Sequence, residues 1–137
     1  MIAIDTNILV RLLMNDAPLQ VQQSRQLFAS NKIFIPNSVL LESAWVLDSV
    51  GLYSQAKIVE GLRRICGFHN VSIENPKRFG LVLDWVLDGL DFADAFHLAN
   101  SQMHNQLMTF DKKFVKRAQR TQSNCEVVSL ADASKSL

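Results

Sequence analysis

Short segments rich in β-branched residues alternate with helical segments along the whole chain, and this alternation constrains the fold more than any other feature. The alternating segments predict strands at residues 1–4, 33–35, 71–73, 107–109 and 126–129. Strands that are separated by helices join as parallel neighbours, with the helices covering both faces of the sheet. The sequence therefore predicts an α/β fold, a four- to five-stranded parallel sheet sandwiched by helices.

Helix-start residues and glycines mark the segments between the strands. Thr6 or Asn7 is predicted to cap the first helix, Ser38 a later one, and Asp91 a third. The predicted helices cover residues 6–13, 18–30, 38–50, 54–66 and 76–88, then 91 to 103 and 112–120. We find no internal repeat, low-complexity segment or linker in the 137 residues, so a single domain over residues 1–137 is expected.

The composition excludes several classes of protein. With 48% hydrophobic and 20% charged residues, the chain can bury a core without disulfide bonds. Cys66 and Cys125 form no CxxC pair, which predicts free thiols in a reducing cytosol. No apolar stretch approaches the roughly 18–20 residues of a membrane span. Because Asp5 also stands where a signal peptide needs basic residues, we expect a cytoplasmic protein without membrane contact.

Four carboxylates are predicted to meet at one edge of the sheet. Ligand sites of open α/β sheets lie outside the carboxyl ends of the strands. Asp5 ends the first predicted strand, and Asp111 lies two residues past the fourth. Glu42 is in the first turns of the helix after the second strand, and Asp94 is in the first turn of the helix before the fourth. All four are therefore expected to reach the same edge.

Each acid also has a purely structural interpretation. Asp5 and Asp111 can cap the helices that follow them, although Thr6 and Asn7 can cap the first helix equally well. Asp91, three residues before Asp94, is predicted to be a helix cap. Glu42 lies in a helix that is apolar nearly all round, so it is expected to be largely buried and to need a partner.

Clustered carboxylates need a cation to remain ionised together. Oxygen ligands suit Mg²⁺ or Mn²⁺ better than zinc, and His69, His97 and His104 lack a metal-ligand spacing. A cation of this kind lowers the pKa of a bound water and neutralises charge that develops on a phosphodiester. The acid set thus predicts metal-assisted hydrolysis.

Four segments in order resemble the motifs of PIN-domain nucleases, and most of all VapC toxins of bacterial type II toxin–antitoxin modules. They are residues 4–10 (IDTNILV), the Glu42 helix with Trp45-Val46-Leu47, residues 91–99 (DFADAFHLA) and residues 109–114 (TFDKKF). The family's four acids fall on Asp5, Glu42, Asp94 and Asp111, of which Asp5 and Asp94 resemble the principal metal ligands. Thr109 matches a small hydroxyl residue beside the site, and Asp91 a position that is acidic in one subgroup.

The resemblance implies a Mg²⁺- or Mn²⁺-dependent endoribonuclease that cleaves RNA with metal-activated water. It also implies a homodimer and a cognate, VapB-like antitoxin. A basic run at Lys112, Lys113, Lys116 and Arg117, together with Arg11, is expected to contact the RNA backbone.

Two other interpretations stay open from the sequence. A phosphohydrolase or phosphoacceptor domain also ends its first strand with Asp, although haloacid-dehalogenase-like enzymes place a second Asp where this chain has Asn7. Receiver domains pair two acids at that strand end, and only Asp5 stands there. A catalytically silent module of the same fold that binds RNA or an antitoxin is the second alternative.

Overall fold

Five strands form in the computed structural model, which describes residues 1–133, and all their pairings are parallel. β1 (Ile2–Ala3), β2 (Ile33–Ile35) and β3 (Val71–Ile73) form a sheet in the order β1-β2-β3. β4 (Gln106–Thr109) and β5 (Glu126–Ser129) form a two-stranded sheet, in which Gln106 is opposite Glu126. The predicted α/β fold class with parallel strands is confirmed, but within residues 1–133 the five strands form two sheets instead of the expected single sheet of four to five strands.

The chain forms two compact units, Met1–Pro76 and Lys77–Leu137, termed the N-terminal unit and the C-terminal unit. The expectation of a single domain stays a prediction. Among the helices of residues 1–133, none combines the length and the apolar composition needed to cross a lipid bilayer.

The N-terminal unit contains four helices besides its three-stranded sheet. They are α1 (Thr6–Met14), α2 (Pro18–Ser30), α3 (Asn37–Ser49) and α4 (Gln55–Cys66). The central strand β2 buries Ile33 and Ile35 completely, as α1, α3 and α4 bury Leu9, Leu40 and Leu62. These apolar side chains form the core that fixes the first turns of α1 and α3.

Local residues set the ends of these helices. The Ser54 hydroxyl accepts a hydrogen bond from the Lys57 amide and so caps α4, which begins one residue after the predicted start at residue 54. At the end of α3, Gly51 has a φ of +71°, which an L side chain rarely adopts. The expected cap at Ser38 is wrong, because α3 begins one residue earlier and Pro36 occupies the cap position.

The C-terminal unit contains α5 (Pro76–Leu87), α6 (Phe92–Ala99) and α7 (Lys112–Ala118). Phe79 of α5 packs against Phe96 of α6 with ring centroids 5.8 Å apart. A short helix, α8 (Leu130–Ala133), follows β5 and has no counterpart in the sequence prediction.

The predicted length of α6 is wrong. We expected Met103 on its apolar face, yet the helix ends at Ala99 and Met103 is 88% exposed. The helical pattern stops there because the Ser101 amide bonds to the Leu98 carbonyl three residues back, while the Ser101 hydroxyl donates to the His97 carbonyl that this amide would use in a longer helix. These bonds use carbonyls at the end of α6 and redirect the backbone toward β4.

Both cysteines are free thiols, as predicted. Burial raises the pKa of the Cys66 thiol to about 11, and it also raises the pKa of Cys125. Neutral thiols in apolar surroundings are poor nucleophiles and poor metal ligands, which fits structural roles for both residues.

Candidate active site

Asp5 lies at the start of α1, two residues after β1 ends. Its side chain is exposed, and its Oδ1 accepts a hydrogen bond of 2.6 Å from the Thr6 amide. Asp5 therefore occupies the cap position itself, which corrects the expectation that Thr6 or Asn7 does so. An exposed carboxylate at the junction of strand and helix is still accessible to a ligand.

Glu42 is exposed, so the expectation that it is largely buried is wrong. One face of α3 is buried and carries Val39, Leu40, Ser43, Ala44 and Leu47. Glu42 and Trp45, three residues apart, lie on the opposite face, and Trp45 is 65% exposed. The apolar composition of this helix was misleading, because composition does not reveal which of its faces the core covers.

Thr6 connects the two acids of the N-terminal unit. Its amide donates to Asp5, and its hydroxyl donates to Oε1 of Glu42, which is 36 residues away in sequence. Thr6 itself is only 6% exposed, so this donor is fixed by packing. The sequence predicts Thr6 only as a possible cap, and no local pattern reveals the bond to Glu42.

Asp94 lies in the first turn of α6 in the C-terminal unit, where it is half-buried. Burial, followed by the negative charges of Asp91 and Asp111, raises the pKa of its carboxyl, while His97 and Arg117 act in the opposite direction. Asp91 and Asp111 are therefore each close enough to Asp94 to repel its carboxylate. His97, which has no predicted role, contributes to the electrostatics of this group.

Asp91 precedes α6 at the cap position, as predicted, but its side chain makes no capping hydrogen bond. Its Oδ1 instead lies 3.7 Å from Nη1 of Arg117, a residue of α7. The sequence predicts Arg117 as an RNA contact and does not reveal this ion pair. Asp91 and Arg117 thus join the start of α6 to the end of α7.

Asp111 caps α7 with two hydrogen bonds. Its Oδ1 accepts from the Lys113 amide at 2.9 Å and from the Phe114 amide at 3.2 Å. Its own amide donates to Oγ1 of Thr109 at 3.0 Å, which gives Thr109 a position beside this acid. The structural interpretation of Asp111 is therefore correct, while the exposed carboxylate can still interact with a ligand.

Substitution of Asp111 by asparagine and by alanine should distinguish how much its capping hydrogen bonds and its negative charge each contribute to stability. Asp111→Asn keeps a capping oxygen and should leave the free energy of unfolding nearly unchanged, whereas Asp111→Ala should lower it by about 1 kcal/mol. Urea denaturation of both variants measures the difference. Equal destabilisation by the two substitutions would show that the negative charge, not the hydrogen bonds, stabilises this turn.

The basic residues that are predicted to contact RNA differ in whether they already form ion pairs. Nη1 of Arg11 lies 3.0 Å from both carboxylate oxygens of Asp16, and its Nε donates to Gln20, so its charge is already compensated. Lys112, Lys113 and Lys116 are exposed, and no ion pair within residues 1–133 includes them. The lysines, rather than Arg11, are free to meet an anionic ligand.

The donor set fits a hard divalent cation by its chemistry. The N-terminal unit offers the carboxylates of Asp5 and Glu42, and the C-terminal unit offers Asp94 and Asp111, all of them oxygen donors. Within residues 1–133, no group of three or more His, Cys, Asp or Glu side chains is arranged to hold a metal ion. A bound cation would also reduce the repulsion of the Asp94 carboxylate by Asp91 and Asp111.

A protein-family model described as "PIN domain" matches residues 2–120, a range that contains all four predicted acids. No curated protein and no solved structure matches the chain.

Proposed function

Because the chain belongs to the PIN domain family, whose members are generally nucleases, we propose that it is a divalent-cation-dependent endoribonuclease that hydrolyses RNA phosphodiester bonds. The structural observation that carries the proposal is the double role of Thr6. This buried residue bonds to Asp5 and to Glu42, and so holds two exposed carboxylates from different elements next to each other. Such a pair of oxygen donors suits Mg²⁺ or Mn²⁺.

We assign roles to four acids in this proposal. Asp5 and Asp94 would hold Mg²⁺ or Mn²⁺. Glu42, which accepts a hydrogen bond from the Thr6 hydroxyl, would complete the site and orient the attacking water. Asp111, held by its cap bonds, would act from the outer part of the site. When bound, the cation lowers the pKa of water and neutralises the charge that develops on the phosphodiester.

The exposed lysines are proposed to bind the substrate rather than to react with it. Lys112, Lys113 and Lys116 follow Asp111 closely in sequence and face solvent. Contacts from such side chains to phosphate oxygens set the position of a nucleic acid but do not select its sequence. They would bring the RNA backbone to the carboxylates.

Cleavage assays with Asp5→Asn test the enzyme assignment. The wild-type protein should cut single-stranded RNA when Mg²⁺ or Mn²⁺ is present and should stop when EDTA is added. Asp5→Asn, purified in the same way, should lose cleavage while remaining folded, because Asn caps a helix as well as Asp does. Equal cleavage by both proteins would reject the proposal. Failure of the wild type to bind a divalent cation in calorimetry would favour the catalytically silent alternative.

Removal of the Thr6 hydroxyl should lower activity without unfolding the protein. Thr6→Val keeps the hydrogen bond from the backbone amide of residue 6 to Asp5 but removes the hydroxyl that donates to Glu42. We therefore expect cleavage to fall about 10- to 100-fold, as it does when a residue that hydrogen-bonds to a metal ligand is replaced. Thr6→Ser restores a hydroxyl and should retain most of the activity. Comparable losses in both variants would indicate a packing defect instead of a lost donor.

We further propose that the protein is the toxin of a type II toxin–antitoxin module, cytoplasmic, homodimeric and inhibited by a VapB-like antitoxin. The resemblance of its four motif segments to VapC toxins supports this proposal. Induced expression in bacteria should arrest growth, whereas Asp5→Asn should not. Co-expression with a small protein encoded beside this gene should restore growth, and sedimentation equilibrium measures the oligomeric state. Normal growth with active wild-type protein would argue against a toxin.

A further inference from the structure

Phe110 is an exposed aromatic residue on a fixed turn. It follows β4 directly and is 74% exposed. The residues on either side of Phe110 are hydrogen-bonded to each other, because the Asp111 amide donates to Oγ1 of Thr109. Asp111 also caps α7. The ring is thus presented to solvent from a constrained backbone rather than from a long loop.

Phe110 is followed in sequence by one exposed carboxylate, Asp111, and then by two exposed lysines. Lys112 and Lys113 follow it within three residues, are exposed, and take part in no ion pair within residues 1–133. An exposed phenyl ring beside unpaired ammonium groups is the combination with which proteins hold single-stranded nucleic acid, where bases stack on aromatic rings and cations follow the backbone.

We propose that Phe110 stacks on an unpaired base of the RNA while Lys112 and Lys113 contact neighbouring phosphates, an inference that rests on the proposed ribonuclease function. Phe110 is a substrate-binding residue in this arrangement and selects for single-stranded RNA. Bases within an A-form helix are stacked on one another and cannot meet the ring, so duplex RNA would bind only through the lysines.

Another exposed aromatic residue, Trp45, is less suited to this role. Its helix carries Glu42 one turn before it and Asp48 three residues after it, and both carboxylates are exposed. Phosphates are repelled by such a surface, whereas they are attracted to the lysines that follow Phe110. Phe110 also has a carboxylate beside it, Asp111, but the Oδ1 of that carboxylate accepts two backbone amide hydrogen bonds and two exposed lysines follow. The net charge of the flanking residues therefore favours Phe110 over Trp45 as the stacking residue.

Binding measurements with four substitutions test the proposal. We would measure the affinity for a fluorescein-labelled ten-nucleotide oligoadenylate and for a blunt RNA duplex by fluorescence anisotropy, in Mg²⁺ and with Asp5→Asn present in every protein to prevent cleavage. The added substitutions are Phe110→Ala, Phe110→Leu and Phe110→Trp, with Phe68→Ala as the control at an exposed phenylalanine of the N-terminal unit.

Phe110→Ala should weaken binding of the single strand about 5- to 150-fold, the range for one stacked base, and should leave duplex binding unchanged. Phe110→Leu should lose a similar factor, since it keeps apolar area but has no π-face. The Phe110→Trp protein should bind the single strand at least as tightly as the protein with Phe110 does. The fluorescence of the added tryptophan should be quenched when RNA binds. Phe68→Ala should have no effect.

Three results would overturn the proposal. The first is unchanged affinity of Phe110→Ala for a single strand that the parent protein binds, a result that leaves the ribonuclease assignment intact. The second is an equal loss for single strand and duplex. The third is a change of oligomeric state in Phe110→Ala during sedimentation, which would assign the ring to a protein interface. If the parent protein binds no RNA at all, the ribonuclease proposal and this inference fail together.

Discussion

Asp94→Asn should abolish RNA cleavage and, without divalent cations, make the folded protein more stable at neutral pH. In the folded protein, burial and then the charges of Asp91 and Asp111 raise the pKa of Asp94 above its ordinary value of 3.8. An ionised Asp94 is therefore unfavourable to folding at neutral pH, and an uncharged amide removes this penalty. Loss of a proposed metal ligand should reduce cleavage more than about 100-fold, beyond the effect of losing an outer partner.

The sign of the pH dependence follows from the raised pKa. Above that pKa the wild type carries the unfavourable charge, so Asp94→Asn should have the larger free energy of unfolding there. As the pH falls toward 3.8, the wild-type carboxyl takes up a proton and the difference between the two proteins should disappear. Urea denaturation in EDTA at about pH 7 and about pH 4 measures both values.

Asp88→Asn is the matched control for Asp94→Asn. Asp88 is an exposed aspartate of the same unit for which no role in the site is proposed. Its substitution should alter neither cleavage nor the pH profile of stability. An Asp94→Asn protein that cuts RNA like the wild type would remove Asp94 from the site, and one that is destabilised at neutral pH would contradict the electrostatic account.

Leu40→Ala should destabilise the protein more than any substitution at the candidate site. Leu40 is completely buried in α3, so truncation removes apolar contacts and leaves a cavity, at a cost of about 2–5 kcal/mol in the free energy of unfolding. Trp45→Ala, on the exposed face of the same helix, should change it by no more than about 0.5 kcal/mol. Urea denaturation of both proteins compares the two faces directly.

This pair of substitutions tests the orientation of α3, on which the position of Glu42 depends. Buried and exposed positions are close neighbours along α3. A rotation of the helix would therefore change which of the two substitutions destabilises the protein. Similar losses for Leu40→Ala and Trp45→Ala would mean that Trp45 is covered in solution, either by another part of the chain or by a second copy.

Elements with local signals were predictable from the sequence. The strand at residues 33–35 has three β-rich apolar residues closed by Pro36, and the helix that ends at Cys66 starts at a capping serine. The strand has the predicted bounds and the helix begins one residue later than predicted, because adjacent residues determine both elements. The length of α6 was not predictable from periodicity alone, since the hydrogen bonds of the Ser101 amide and hydroxyl to Leu98 and His97 end the helix before Met103.

The positions of the candidate acids along the helices and strands were predictable, but their environments were not. The strand-end positions of Asp5 and Asp111 follow from the order of the elements, and the structure has them where helices begin. The exposure of Glu42 and its bond to Thr6 depend on how α1 and α3 pack, across 36 residues of sequence. The ion pair between Asp91 and Arg117 likewise depends on tertiary packing. Patterns along a chain carry no information on such distances.

Two of the four proposed site acids, Asp5 and Asp111, also begin a helix. At both positions asparagine supplies the same hydrogen-bonding oxygen without the charge. If the proposed roles are correct, replacement of a single carboxylate oxygen by an amide nitrogen would separate an active protein from an inert one with the same fold. Inactive descendants of such a chain would keep its architecture, and only the identity of these helix-starting residues would distinguish them from a working enzyme.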